Sequence, residues 1–320
     1  MQLPITQLSF TLIPTQTIKL PKHPGSTFRG AFGHALKNLT CNIKNTKCQN
    51  CNLNQMCAYA WLFNPHLTDK EKKETSKRFH NKPRPFVFEP KTNGKEIFHP
   101  GQEINFNLNL FGSTYKFLPY IIESWRCLED EGLGKGRGSF ILSEIWNVND
   151  LIGKAERIYS EYANRVHNSE LKINNEDINQ LEQNLSNNHL RLKLLTPMLL
   201  KYKGSYVNKI EFHILMRNFF RRLSSLSHFY GTEGLDIDFS TCLEQAGEIE
   251  LVKDHTNWRE WKRYSSRQKQ KIKMYGVTGE LEYQGDLNKF LSHLILGQYI
   301  HAGKNTVFGL GNFKILKNTM

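Results

Sequence analysis

Both halves of the sequence end in the same order of elements: an apolar helix, a glycine-rich loop and a strand. The first copy, FLPYIIESWRCLEDEGLGKGRGSFILSEI, covers residues 117–145, and the second, KFLSHLILGQYIHAGKNTVFGLGNFKIL, covers residues 289–316. Each half also opens with a strand, a loop and a helix. A β-α-β-β-α-β order that occurs twice is the pattern of two ferredoxin-like domains in tandem. We therefore expect an α+β protein with two tandem ferredoxin-like (RRM-like) domains.

A polar, asparagine-rich segment at residues 169–189 separates the two halves and predicts a linker. The predicted domains are residues 1–185, with a four-cysteine insertion at 41–57, and residues 186–320. The charged segment 69–84 is interpreted as a solvated loop. Apolar periodicity predicts the other main elements, which are strands at 3–13, 247–257 and 271–284 and helices at 27–39, 115–129, 208–229 and 286–300.

The formal net charge is +13 in 320 residues. A positive excess of this size favours polyanionic partners, nucleic acid first and an anionic membrane surface second. No apolar run reaches the roughly 20 residues that a membrane-spanning helix needs, and the N-terminus alternates like a strand, unlike a signal peptide. We therefore expect a cytoplasmic protein that binds nucleic acid and has no membrane partner.

The two glycine-rich loops carry the clearest functional signal. The first glycine loop, GLGKGRG at 132–138, contains Lys135 and Arg137, and the second glycine loop, AGKNTVFGLG at 302–311, contains Lys304. Closely spaced glycines let the backbone approach a phosphate, and successive amide groups can form an anion-binding nest. Neither loop has the Walker pattern. Two basic loops at equivalent places favour binding to an RNA backbone over the alternative, a tight connection that needs glycine.

The second half is dense in basic residues, above all at 191–222 and 253–273, and Trp258, Trp261 and Tyr264 are interleaved in the second of these runs. Cations neutralise phosphates, and aromatic rings stack on unpaired bases. The alternative is a solvated charged face whose aromatic side chains turn into the core. The predicted RNA-binding side chains of the whole chain are Arg29, Lys135, Arg137, Arg217, Arg221, Arg222, Arg263 and Arg267.

Four of the six cysteines, Cys41, Cys48, Cys51 and Cys57, lie close together in the pattern C-x6-C-x2-C-x5-C. A C-x2-C pair can chelate from a tight turn, and two flanking cysteines can complete a tetrahedral site. In a reducing compartment such a cluster favours a metal over disulfides. We expect a structural Zn²⁺ that takes no part in catalysis, with an iron–sulfur cluster or free thiols as the alternatives.

Two histidines are candidates for acid–base chemistry on a phosphodiester. His301 stands directly before the second glycine loop and three residues before Lys304. A histidine there could deprotonate a ribose 2′-hydroxyl or protonate a 5′-oxygen leaving group, and the lysine could stabilise a pentacoordinate phosphate. His34, in the first helix near Arg29, is the rival. The alternatives are a histidine that contacts the last carbonyls of a helix, for His301, and a surface helix residue, for His34.

The carboxylates form no constellation suited to two-metal hydrolysis, and GxSxG is absent. An RNA-cleaving enzyme of this sequence would therefore act by transesterification, with the 2′-hydroxyl as nucleophile. Such an enzyme needs no divalent metal and does not cut where the 2′-hydroxyl is missing.

Several segments resemble the CRISPR-associated endoribonucleases of the RAMP superfamily that process pre-crRNA, the CRISPR-associated protein six family. They are GVTGELEYQGDLNKFLSHLILGQYIHAGKNTVFGLGNFKI, LLTPMLLKYKG and RNFFRRLSSLSHFYG in the second half. FRGAFGHALKNLTC, followed by the cysteines and AYAWLF, resembles one branch of that family. The final glycine-rich loop is the most specific of these segments.

This resemblance implies tandem ferredoxin-like domains, binding of CRISPR repeat RNA, and one metal-independent cut that leaves a 2′,3′-cyclic phosphate and a mature guide RNA for antiviral defence. It carries the loop onto Gly303, Gly309 and Gly311, and His301 and Lys304 fall within the matched motif. Family branches differ in their catalytic residues, and some keep a histidine near the first helix, which retains His34. Inactive relatives serve as backbone subunits of CRISPR interference complexes, so other CRISPR-associated proteins are candidate partners.

The sequence thus predicts a pre-crRNA endoribonuclease with His301 as general base or acid and Lys304 stabilising the transition state. The first alternative is a non-catalytic RNA-binding subunit of a CRISPR complex. The second, a zinc-stabilised DNA-binding protein, is disfavoured because no helix-turn-helix or zinc-finger pattern occurs.

Overall fold

The computed structural model describes residues 3–43, 46–75, 79–163, 165–232, 237–265 and 269–316. The chain divides into two compact units. Unit 1 comprises Met1–Asn174 and Ser225–Gly234, and unit 2 comprises Asn175–Ser224 and Leu235–Met320.

Unit 1 is built mainly from eight strands and four helices of the described chain. The strands are β1 (Ile5–Pro14), β2 (Ile18–Lys19), β3 (Phe86–Pro90), β4 (Ile97–Phe98), β5 (Ile104–Phe111), β6 (Phe140–Asn149), β7 (Lys154–Ser160) and β8 (Arg165–Val166). The helices are α1 (Gly25–Thr40), α2 (Ala58–Phe63), α3 (Asp69–Thr75) and α4 (Leu118–Glu131).

The main sheet of unit 1 has the strand order β3-β5-β1-β6-β7-β8, and its neighbouring strands are antiparallel. The first four of these strands, with α1 and α4, have the order of a ferredoxin-like fold. Phe28 of α1 and Trp125 of α4 lie 4.9 Å and 4.8 Å from the ring of Phe106 on β5. These fully buried rings show that both helices cover the same face of the sheet.

Unit 2 contains six strands, three complete helices and most of a fourth helix of the described chain. The strands are β9 (His189–Met198), β10 (Leu200–Tyr202), β11 (Ser205–Val207), β12 (Glu250–Ser265), β13 (Gln270–Gln284) and β14 (Phe313–Leu316). The helices are α5 (Asn175–Glu182), α6 (Phe212–Tyr230), α7 (Phe239–Gly247) and α8 (Leu291–Ile300). The last residues of α6 belong to unit 1.

The main sheet of unit 2 has the strand order β12-β13-β9-β14, again antiparallel, and with α6 and α8 it forms the second ferredoxin-like fold. Phe212 of α6 lies 5.2 Å from Tyr283 on β13. A Cβ atom on Gly297 of α8 would lie 2.9 Å from the Phe219 ring and 2.8 Å from the Phe313 ring. Glycine therefore lets α8 approach both α6 and β14 closely.

The α+β class and the two ferredoxin-like domains predicted from the sequence are confirmed. Three local predictions differ from the structure. The predicted boundary after residue 185 falls later than the observed division, because α5 packs against α8 in unit 2. The charged segment 69–84 begins with α3, where the Glu71 side chain accepts from the Thr68 backbone N–H at 2.7 Å. The basic stretch after residue 257 continues β12.

Within the described residues, the structure contains no helix that is both long and apolar enough to cross a membrane.

Candidate nucleic-acid interface

His34 lies on the exposed side of α1, and its side chain is 66% exposed. Its Nδ1 atom lies 3.7 Å from Oε2 of Glu131, the last residue of α4, and 3.3 Å from Nδ2 of Asn38, one turn further along α1. The Asn38 amide can donate to Nδ1 when the ring is neutral, and the Glu131 carboxylate can accept from Nδ1–H when the ring is protonated. The same nitrogen therefore has a partner in both protonation states.

The first glycine loop begins directly after Glu131 and is held as a tight turn. Leu133 and Gly138 exchange two backbone hydrogen bonds, of 2.9 Å and 3.2 Å, and the N–H of Lys135 donates to the carbonyl of Lys19 on β2 at 2.9 Å. A Cβ atom on Gly134 would lie 2.4 Å from that same carbonyl oxygen. The backbone is thus fixed on one side, while Gly136 has open space around its Cα.

Three cations belong to this turn and to the strand with which it pairs. The side chains of Lys19, Lys135 and Arg137 are all exposed. Arg137 has a φ angle of 53°, so the turn depends on left-handed backbone even at a residue with a side chain. An accessible imidazole, an exposed glycine backbone and three cations therefore occupy neighbouring positions in unit 1.

The second glycine loop is folded differently. His301 is fully buried, and its Nδ1–H donates to the Leu310 carbonyl across 3.3 Å. Burial, together with the nearby positive charge of Arg222, lowers the pKa of His301 to about 3. The ring is therefore neutral at pH 7 and is closed off from solvent.

Arg222 supports the same buried arrangement. Its Nε atom donates to the Ile300 carbonyl at 2.6 Å, which satisfies an end group of α8. Burial lowers the pKa of Arg222 to about 9, so the guanidinium still carries its charge at neutral pH. The burial of its ring argues against the predicted role of His301 as general acid or base. The contact of its Nε atom with Ile300 argues against a direct RNA contact by Arg222, which is only partly exposed.

The glycines of the second loop serve close backbone packing. A Cβ atom on Gly303 would lie 2.5 Å from the Leu199 carbonyl oxygen, and one on Gly311 would lie 1.8 Å from the Ala302 carbonyl oxygen. Gly309 and Gly311 are buried, so the structure argues against their predicted direct contact with RNA. Lys304 is exposed, and its backbone N–H donates to the Leu199 carbonyl at 3.0 Å, which leaves the charged side chain accessible.

The other predicted RNA-binding arginines fall into two groups. Arg217 and Arg221 are exposed, one turn apart on α6. Arg29 lies 4.6 Å over the Phe63 ring and Arg263 lies 4.9 Å over the Phe308 ring, so their guanidinium groups pack against the protein itself. Burial lowers the pKa of Arg263. Arg267 lies outside the described residues.

Each half of the chain matches a known family model. Residues 3–171 match the family model described as AF_1859_N, N-terminal domain. Residues 192–313 match the model of CRISPR-associated endoribonuclease Cas6. The chain belongs to the AF_1859_N family and is a CRISPR-associated protein of the Cas6 type.

One sequence relative and two solved structures match nearly all of this chain. An uncharacterized protein of Archaeoglobus fulgidus is 27% identical over 300 residues, which cover 92% of each chain. Thermus thermophilus Cas6 superposes with a TM-score of 0.55 at 13% identity, over 99% of this chain and 100% of the other. A chain of a partial Cas6-RT-Cas1–Cas2 complex gives a TM-score of 0.61 at 12% identity, over 99% of this chain and 46% of the other. At such identities these structures establish a shared fold.

The four cysteines predicted to bind zinc lie between α1 and α2. Cys41, Cys48, Cys51 and Cys57 are partly exposed free thiols. Burial raises the pKa of Cys48, as does the electrostatic influence of Cys57 and Cys41, while a hydrogen bond from Asn64 at 3.6 Å opposes the shift. Within the described ranges no group of three or more ligating side chains is placed to hold a metal ion. The zinc site therefore stays a prediction from the cysteine spacing, and no chemical step is assigned to a metal.

Sequence reasoning missed Glu131 and Lys19 as members of the site. Both are ordinary charged surface residues in the sequence, and no motif marks them. Only the packing of α4 beside α1 and the bridge between β2 and the first glycine loop bring them near His34 and Lys135.

Proposed function

We propose that this protein cleaves CRISPR repeat RNA by attack of a ribose 2′-hydroxyl on the adjacent phosphate, giving a 2′,3′-cyclic phosphate, with His34 as the acid–base residue. The observation that carries the proposal is the accessible His34 imidazole beside the first glycine loop and its exposed cations. The membership of the chain in a family of Cas6 type supports CRISPR RNA as the substrate.

An imidazole near the scissile phosphate can take the proton of the 2′-hydroxyl or deliver a proton to the departing 5′-oxygen. The Glu131 carboxylate, 3.7 Å from Nδ1, orients the ring. Such a pairing leaves Nε2 of His34 free to face the substrate. Glu131 is therefore assigned as a positioning residue.

The cations of the first glycine loop can stabilise the charge that develops in the transition state. The pentacoordinate phosphate of a transesterification carries more negative charge than the diester, and preorganised positive groups stabilise that difference. Lys135 and Arg137 stand on a turn that is fixed by backbone hydrogen bonds, so their starting positions need little reorganisation. The backbone at Gly136 is open to a phosphate oxygen.

In unit 2, Lys304, Arg217 and Arg221 are proposed as contacts to the RNA backbone, since all three are exposed. A solved structure with the same fold is part of a Cas6-RT-Cas1–Cas2 complex. We extend this to other CRISPR-associated proteins as partners of the present chain, in the cytoplasm. Burial of His301 favours one alternative, a non-catalytic RNA-binding subunit, since it leaves only one of the two candidate histidines accessible.

One assay separates these two functions. Purified protein is incubated in EDTA with a CRISPR repeat RNA, and in parallel with a copy that carries a 2′-deoxy sugar at the cut site. We expect cleavage of the first RNA alone, with a cyclic phosphate detected by mass spectrometry. Binding of both RNAs without cleavage of either would establish the non-catalytic function instead.

A further inference from the structure

The hairpin of β12 and β13 is longer than the sheet to which it belongs. β12 pairs with β13 from Glu250↔Gln284 to Ser265↔Gln270, but β13 pairs with β9 only from Val277 to Gln284. From the Trp258↔Val277 pair outward the two strands therefore continue as a ribbon, residues 258–265 and 270–277, which has no third strand beyond Val277. Two-stranded ribbons are marginally stable by themselves. The extension of this hairpin beyond the sheet therefore needs an explanation, which its side chains provide.

The two faces of the ribbon differ, because side chains alternate along a strand and directly paired residues point to the same side. On the inner face Trp261 is paired with Met274, which is 6% exposed. Two residues along, the Arg263 guanidinium covers the Phe308 ring of the second glycine loop at 4.9 Å. This face anchors the ribbon to unit 2.

The outer face carries aromatic rings that remain in solvent. Trp258 is 43% exposed and Tyr264 is 63% exposed. The Trp258 ring is stacked on that of Tyr275, with centroids 6.0 Å apart and planes at 26°. The stack holds the indole in place but leaves much of its surface uncovered.

Cations alternate with these rings on the outer face. Lys262, Lys271 and Lys273 are exposed. The acid of this stretch, Glu260, lies 3.7 Å from Lys273 and compensates only that charge. The outer face thus combines flat apolar rings with excess positive charge, in a chain of net charge +13.

We propose that the outer face of the ribbon binds unpaired nucleotides of the RNA, with one base stacked on Trp258 and another on Tyr264. The two rings are six residues apart on one strand, or ~20 Å at about 3.3 Å per residue, a distance that a few nucleotides of extended strand cover. Lys262 and Lys271 lie between and beside the rings and neutralise the phosphates. Unpaired RNA fits better than a duplex, because the faces of paired bases are already stacked.

The identity of the RNA rests on the proposed function, but the binding does not depend on cleavage. Binding is measured by quenching of tryptophan fluorescence with a short oligouridylate, and with a blunt-ended RNA stem as the paired probe. Trp258→Ala and Tyr264→Ala are compared with Tyr162→Ala, a change at a tyrosine of unit 1 that is 95% exposed. Tyr264→Ala and Tyr162→Ala keep Trp258, so their binding is still measured by tryptophan fluorescence. Trp258→Ala lacks this indole, so its binding is measured with a labelled oligouridylate.

We expect each ribbon variant to bind oligouridylate about tenfold more weakly, in line with the loss of one stacked base, and to bind the blunt stem as the parent does. Tyr162→Ala should leave both affinities unchanged, and Trp258→Phe should restore most of the binding. Circular dichroism and thermal unfolding check that the variants fold. Unchanged affinity for oligouridylate in both variants would overturn the proposal, as would an equal loss for the paired stem.

Repeat RNA that carries a 2′-deoxy sugar at the cut site keeps this test separate from catalysis. Weaker binding by the ribbon variants, in a protein that cuts no RNA, would support the ribbon and refute the endoribonuclease. Efficient cutting with unchanged KM in the ribbon variants would support the endoribonuclease and refute RNA binding by the ribbon. If both proposals hold, the variants raise KM about tenfold for repeats with unpaired flanks and leave kcat near the parent value.

Discussion

The two glycine loops follow equivalent helices in the two units, but their surroundings differ. The first loop leaves Gly136 open and carries exposed Lys135 and Arg137 next to an accessible histidine. The second encloses its histidine and presses Gly311 against the Ala302 carbonyl. The same succession of helix, glycine and strand can therefore serve as an exposed anion site or as a closely packed structural connection. Which of the two it becomes depends on what packs around it.

The largest expected effect tests His34, the histidine of α1 near the first glycine loop. His34→Ala should lower the cleavage rate by about 10²-fold or more, while RNA affinity stays within a few-fold, because a general acid or base acts in the transition state. The measurement is single-turnover cleavage of repeat RNA together with a binding isotherm. His99→Ala, at an exposed histidine of the same unit, is the matched control and should cut like the parent. A cleavage rate unchanged by His34→Ala would refute the assignment of His34, near the first glycine loop, as the acid–base residue.

A pair of glycine substitutions measures how tightly each loop is packed. Both residues have positive φ, 89° at Gly136 and 73° at Gly311, so alanine is strained at either position. Only at Gly311 does the new Cβ also collide with backbone. We expect Gly311→Ala to lower the free energy of unfolding by about 3 kcal/mol or more and Gly136→Ala by about 1 kcal/mol, measured by urea unfolding. Equal losses of unfolding free energy in the two variants would contradict the difference in packing between the two loops.

The pH dependence of stability reports the burial of His301. Its pKa falls from 6.5 to about 3 on folding, so between these values the unfolded chain binds the extra proton and the folded chain does not. Stability should therefore be complete above pH 6.5 and decrease as the pH falls, by up to about 1.4 kcal/mol per pH unit, or roughly 2 kcal/mol at pH 5. In His301→Gln, urea unfolding at pH 5 and pH 7 should show a smaller difference. A slope that persists in this variant would assign the effect to other groups.

The exposed cations should divide between catalysis and binding. The double change Lys135→Ala, Arg137→Ala removes charge beside His34 and should lower kcat about tenfold. Lys304→Ala should weaken RNA affinity a few-fold, reduce the salt dependence of binding by about one phosphate contact and leave kcat unchanged. Titrations at several salt concentrations and single-turnover rates separate the two outcomes. A loss of kcat in Lys304→Ala would place this lysine in the chemistry.

The smallest effect on activity is expected from the cysteine insertion, which has no counterpart in the second half of the sequence. The spacing of Cys41, Cys48, Cys51 and Cys57 predicts about one zinc per chain, absent from the double variant Cys48→Ser, Cys51→Ser. Cleavage in EDTA should nevertheless proceed at the parent rate as long as the protein stays folded. Elemental analysis of freshly purified protein checks the metal, and a metal-free preparation would refute the zinc.

The aromatic residues of the basic stretch show where pattern reasoning stops. The sequence left open whether Trp258, Trp261 and Tyr264 stack on bases or turn into the core. In the structure Trp261 is on the inner face of the ribbon, whereas Trp258 and Tyr264 are on the outer face. Strand alternation could have separated Trp261 from the other two, but it could not say which face was covered, because the covering group, Phe308, is distant in sequence.

The sequence by itself determined the α+β class, the repeated ferredoxin-like order and the positive charge, because these follow from local periodicity and composition. It also placed most helices and strands within a few residues. Only the tertiary structure decided which histidine is accessible. Burial depends on what packs around a residue, and His301 is enclosed by Arg222 and Leu310, while His34 meets Glu131 at the end of α4. Neither set of neighbours leaves a periodic signal in the chain.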